Sequence, residues 1–173
     1  MMPAQMHATK TRRHLRTFMP SWLLSMVIAG TACAPTVGKT PDSGSAMPST
    51  IIEPYLAIED ALADDRTDNI KANAGNIATA ATALGAPAMK IDTAALQLSA
   101  AAEAAEPDIE KIRERFGVLS EAIDTYMTGL KLTPPEGVRV AYCPMAKKPW
   151  LQRGDALANP YYGKDMPTCG SFR

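Results

Sequence analysis

The stretch IEKIRERFGVLSEAIDTYMTGL, residues 109–130, decides the fold. Its apolar residues Ile109, Ile112, Phe116, Leu119, Ile123, Tyr126 and Leu130 step by three and four, which sets them on one face of a long helix. Glu106-Pro107-Asp108 supplies the start, because proline is tolerated in a first turn and acids suit the positive end of the helix dipole. Glu110, Glu114 and Glu121 alternate with Lys111, Arg113 and Arg115, a pattern that predicts a solvated face with helical charge pairs.

Three shorter stripes precede it. Ile51, Tyr55, Ile58 and Leu62 form the first, broken by Asp64-Asp65-Arg66. Ile70, Ala74, Ile77, Ala81 and Leu84 form the second, ended by Gly85 and Pro87. Ile91, Ala95, Leu98, Ala102 and Ala105 form the third. Four amphipathic helices with short connections predict antiparallel neighbours: an all-α, up-down-up-down four-helix bundle over residues 51–133. Alanine on the facing positions of the second and third helices predicts a close approach there, with little room for an internal ligand.

After Pro134-Pro135-Glu136-Gly137 the composition changes. Val138 to Tyr142 alternates weakly and predicts one short strand in an otherwise irregular, Cys-containing C-terminal tail, residues 134–173. Residues 137–173 carry six basic and two acidic side chains, whereas residues 51–136 carry seven and fifteen. The tail is therefore expected to dock on its own acidic helices, with Trp150, Tyr161 and Tyr162 as apolar glue.

The front of the chain predicts export. Lys10, Arg12, Arg13 and Arg16 precede the apolar run Trp22 to Ala29, and small residues lead to Cys33. That is the order of a signal peptide, residues 1–32, and its apolar run is far shorter than the roughly 20 residues a spanning helix needs. Gly30-Thr31-Ala32-Cys33 resembles a bacterial lipobox, with Gly30 where leucine is usual, and implies lipidation of Cys33. Arg12-Arg13 also resembles a twin-arginine export motif. Residues 33–50 are rich in Pro, Gly, Ser and Thr and read as a flexible tether. The expected location is the periplasmic side of a bacterial envelope, with a lipid anchor as the only attachment to membrane.

Removing the signal changes what chemistry is available. Residues 33–173 hold 14 basic and 18 acidic side chains, a net of −4, which argues against nucleic acid as a partner. Both histidines, His7 and His14, lie in the signal. Triads with a histidine base, histidine-ligated metals and the Glu-x-x-His pairs of di-iron bundles are thereby excluded. No other nucleophile with a base is visible, so the expected protein is not an enzyme.

The order of several pieces resembles the bacterial domain of unknown function 3347. They are Tyr55 to Leu62, Phe116 to Ala122, Tyr142-Cys143-Pro144-Met145-Ala146, Trp150-Leu151, Asn159-Pro160-Tyr161-Tyr162-Gly163 and Met166 to Gly170. The resemblance spans roughly residues 53–172. Domains of this family occur alone in exported proteins and appended to adaptors of heavy-metal efflux pumps, which implies copper or related metals and envelope efflux proteins as partners. Tyr-Cys-Pro-Met is also similar to a piece of small heavy-metal-binding domains that continue with histidine, where this chain has Ala146.

Cys143 and Cys169 admit two readings. As a disulfide they would close a loop of about 25 residues and stabilise the tail by roughly 3 to 4 kcal/mol on a chain-entropy model. As metal ligands, Cys143, Met145, Met166 and Cys169 would offer four soft sulfurs, suited to Cu(I). The expected function is an exported accessory protein binding copper or another soft heavy metal. The alternative is an interaction module stapled by a disulfide.

Overall fold

The apolar stripes become four helices in the computed structural model, which describes residues 44–173: α1 (Ser49–Ala63), α2 (Ile70–Leu84), α3 (Met89–Ala102) and α4 (Ile109–Leu130). Ile51, Tyr55, Ile58 and Leu62 of α1, Ile70 and Ile77 of α2, Ile91 and Leu98 of α3, and Phe116, Leu119 and Ile123 of α4 are all buried. Gly85, at φ 78°, ends α2 in a conformation that glycine adopts without strain. The third stripe stops earlier than its sequence pattern, since Ala105 lies beyond α3 and is exposed. Asp108 caps α4, its carboxylate accepting from the backbone N–H of Glu110 at 3.0 Å and of Lys111 at 3.4 Å. Pro107 therefore precedes the cap instead of occupying the first turn.

Neighbouring helices pack in sequence order, α1 on α2, α2 on α3 and α3 on α4. The most extensive pair is α2 with α3, where Ala74, Ala78, Ala81, Ala94 and Ala95 are buried.

The tail departs from the sequence expectation. It forms a three-stranded antiparallel sheet, β1 (Val138–Cys143), β2 (Lys148–Arg153) and β3 (Ser171–Phe172), in the order β2-β1-β3. The strand expected at 138–142 is β1, but the tail as a whole is not irregular. Strand β2 escapes an alternation test because Pro149, Trp150, Leu151 and Gln152 are buried consecutively. It lies against both α4 and α1, and the loop residues Ala156, Tyr161 and Gly170 also reach it. Helix α4 admits the hairpin at Gly117, where a Cβ would collide with the Lys148 side chain.

The tether also ends earlier than expected. Met47 is buried, its N–H donates to the Thr133 carbonyl at 2.9 Å, and Ala46 bridges Thr133 in parallel. Residues 44–50 thus belong to the folded part, because one large apolar side chain enters the core. The signal, Cys33 and the rest of the tether lie outside the described residues.

The basic tail does meet acidic helices. Lys148 pairs with Glu121 at 2.6 Å, Arg153 with Glu53 at 2.7 Å and Arg173 with Asp124 at 2.8 Å. Such pairs at the surface contribute at most about 1 kcal/mol each. The aromatic side chains contribute more. Tyr55 stacks on Phe116 with ring centres 5.1 Å apart, Tyr161 tilts against Phe116 at 6.0 Å, and Trp150 meets Tyr161 edge-on at 6.1 Å. No helix among the described residues is long and apolar enough to cross a membrane.

Candidate functional site

Cys143 ends β1, and the chain then turns through Pro144, Met145, Ala146 and Lys147 into β2, with Lys147 at φ 56°. The turn folds back on the sulfur, so that the N–H of Ala146 donates to Cys143 Sγ at 3.4 Å. Cys169 stands just before β3, whose Ser171 pairs with Tyr142. The antiparallel register carries the two cysteines to the same end of the sheet. Their sulfurs lie 4.0 Å apart, and both thiols are free. Cys143 is fully buried and Cys169 half-buried.

Gly170 makes this approach possible. A Cβ there would stand 2.6 Å from the Trp150 ring and 2.9 Å from the Tyr142 carbonyl, and its φ of 148° suits glycine alone. Desolvation, followed by the hydrogen bond and charge of Cys143, pushes the Cys169 thiol above its ordinary range.

Of the four sulfurs singled out from sequence, the structure pairs two. Met145 sits on the hairpin turn with 57% of its surface exposed. Met166 follows the short 3-10 turn Gly163–Asp165 and is half-buried. Among the described residues no cluster of three or more His, Cys, Asp or Glu is placed to hold a metal ion. A four-ligand zinc site of the usual kind is therefore not built here.

Asn159 is the residue the sequence reading did not single out. It is fully buried, and its side-chain N–H group reaches Cys143 Sγ at 3.4 Å and the Cys169 carbonyl at 2.5 Å. Its side-chain oxygen accepts the N–H of Tyr161 at 2.8 Å, closing an Asx turn. Its backbone is held as well, donating to Pro167 and accepting from Gly163. The available signal was Asn159-Pro160, a turn-forming pair whose asparagine bonds its own backbone two residues on.

Arg113 corrects the expectation of a wholly solvated charged face on α4. It is buried, donating to the carbonyls of Pro160 at 3.1 Å and Leu62 at 3.2 Å, and it pairs with Asp65 and with Glu110 at 2.9 Å. Gly163 lies directly over the Arg113–Asp65 pair, leaving no space for a side chain. The arginine thereby links the Asn159 loop to α1 and α4.

A second buried polar group is Glu59 on α1, whose Oε1 has no hydrogen-bond partner. Desolvation, reinforced by neighbouring Asp60, pushes its carboxyl from 4.5 up to about 9, so it is neutral at pH 7. Nearby, Tyr55 OH and Ser120 Oγ share a hydrogen bond of 2.7 Å, and the N–H of Leu151 donates to the Tyr55 oxygen at 3.2 Å. An open groove of about 660 Å³ between α3 and α4, flanked by Met89, Lys90 and Val118, is remote from the thiols and holds none of these groups.

The described residues thus define a helical domain whose C-terminal sheet brings together two free thiols, one buried and one half-buried. Residues 51–133 match the model of a family described as "Protein of unknown function (DUF3347)", and this helical region belongs to that family. The match covers the four helices and stops before β1, so the thiol pair and the tail pieces lie outside it. No curated protein and no solved structure matches the chain.

Proposed function

We propose that this chain is a non-enzymatic accessory protein of the bacterial envelope whose paired thiols bind a monovalent soft metal, Cu(I). One observation carries the reading: two free sulfurs stand 4.0 Å apart, with Cys143 accepting N–H bonds from Ala146 and Asn159. Zinc–thiolate bonds of about 2.3 Å set the scale for metal–sulfur contacts, and sulfurs 4.0 Å apart are within reach of one shared ion. Thiolates favour soft ions, and a site with two thiolates and no imidazole or carboxylate cluster suits an ion content with few ligands. Met166 or Met145 would serve as an additional thioether ligand.

In this reading the helices are an up-down-up-down bundle acting as scaffold, Cys33 carries the lipid, and the partners are heavy-metal efflux or other envelope proteins. Incorporation of labelled fatty acid, lost in Cys33→Ser, tests the anchor. The site is tested by titrating Cu(I) against a chromophoric chelator under reductant. One tightly held ion per chain is expected, lost in Cys143→Ser and in Cys169→Ser. Absence of uptake by the reduced protein would overturn the reading.

The proximity of the thiols also favours the second reading, an interaction module stapled by a Cys143–Cys169 disulfide. Alkylation of protein taken from the envelope without reductant distinguishes the two. A stapled module gives no labelling at either position and no copper uptake after reduction.

A further inference from the structure

The thiol pair is held by a single side chain, and we infer that Asn159 is a positioning residue that keeps Cys143 and Cys169 reduced and spaced as a ligand pair. This rests on the metal-binding reading for its purpose, although not for its test. The side-chain N–H group of Asn159 spans the pair, bonding the sulfur of Cys143 and the carbonyl of Cys169. Its orientation is fixed, because its oxygen accepts from Tyr161 N–H and a flipped amide would face that donor with another.

Oxidation would have to act against this arrangement. A disulfide requires the sulfurs to close from 4.0 Å to about 2.05 Å. The β1–β2 ladder holds the backbone of Cys143, and the N–H groups of Ala146 and Asn159 hold its sulfur; the backbone of Cys169 is restrained as well. Its carbonyl is tied to Asn159, its N–H donates to the Met166 carbonyl at 3.3 Å, and Gly170 is wedged against Trp150. Closure also converts a thiol or thiolate acceptor of two N–H bonds into a weaker disulfide sulfur. Asn159 therefore stabilises the reduced pair relative to the oxidised one, and the bound-ion state relative to the free one. It touches both ligands and is not itself a ligand.

Asn159→Asp keeps the acceptor for Tyr161 N–H and removes both side-chain N–H bonds. Asn159→Ser keeps a turn-forming oxygen that is too short to span the pair. Both are compared with the unaltered residue in chains carrying Cys33→Ser, so that only this pair titrates. The first readout is the equilibrium of the pair in glutathione buffers without metal, in which oxidised glutathione takes the two electrons, giving the protein disulfide and two reduced glutathiones. The variants are expected to oxidise about tenfold more readily, a potential roughly 30 mV more negative. The second readout is Cu(I) affinity, expected to fall about 10- to 100-fold, as for other groups that orient metal ligands.

If the unaltered chain takes no Cu(I), the metal reading fails and the potential alone decides the role of Asn159. Folded variants whose pair has the unaltered potential overturn the inference, whatever copper does. So does a pair that oxidises in none of the proteins, or loss of fold in both variants, which would make Asn159 a residue of the turn only.

Discussion

Glu59→Gln offers a quantitative test of how this domain tolerates a carboxyl in its core. Glu59 is almost fully buried with one unpartnered oxygen, and its proton is held from 4.5 up to about 9. In the unfolded chain the same group ionises near 4.5. Between those values the unfolded state binds fewer protons than the folded state, so stability falls as pH rises. The contribution is fully present below pH 4.5 and lost as pH rises through 9. Each unit corresponds to about 1.4 kcal/mol, hence about 3 kcal/mol between pH 4.5 and 7. That is a sizeable share of the 5 to 15 kcal/mol typical of a domain.

The glutamine amide is close in size and does not titrate. Urea unfolding followed by circular dichroism at pH 5, 6, 7 and 8 gives both curves. The stability of the wild type minus that of the variant should fall by about 1.4 kcal/mol per unit. Parallel curves across this range would refute the reasoning, since they would mean that Glu59 ionises in the folded protein as it does in water.

Three further outcomes follow from the packing. Arg113→Ala takes a buried donor from the carbonyls of Pro160 and Leu62 and should destabilise the fold more than Glu121→Ala, on an exposed pair, which should cost at most about 1 kcal/mol in the same urea titration. Tyr55→Phe removes the acceptor for the buried Leu151 N–H and should cost about 1 to 3 kcal/mol; hydrogen exchange should show that amide opening more readily. Gly163→Ala puts a methyl into the Arg113–Asp65 pair at a position with φ 53° and should lower the thermal midpoint more than Gly75→Ala, whose surroundings are open.

Much of the helical half was legible because its information is periodic. A three-and-four spacing places Phe116, Leu119 and Ile123 on one face whatever lies opposite, and all three are buried. Charge spacing was less informative: Arg113 follows the same alternation as Lys111 and Arg115, yet its side chain is buried and bonds two carbonyls and two carboxylates of exposed residues. No local pattern distinguishes it, because those partners come from α1 and the Asn159 loop as well as its own helix. Glu59 likewise reads as an ordinary surface acid of an amphipathic helix until the tail covers it. Strand β2 was hidden because both its faces are enclosed, which erases the period of two.

By itself the sequence determined the four helices, their ends at Gly85 and Asp108, the strand at β1 and the family, since these depend on local spacing and turn chemistry. It also limited the candidate soft ligands of the tail to Cys143, Met145, Met166 and Cys169. The tertiary structure alone decided which sulfurs meet. The β1–β3 register brings Cys169 to 4.0 Å from Cys143 and leaves Met145 exposed on its turn. Strand pairing acts across nearly thirty residues of chain, and the approach of two backbones at Gly170 is a property of the packed sheet, with no counterpart in any short stretch of sequence.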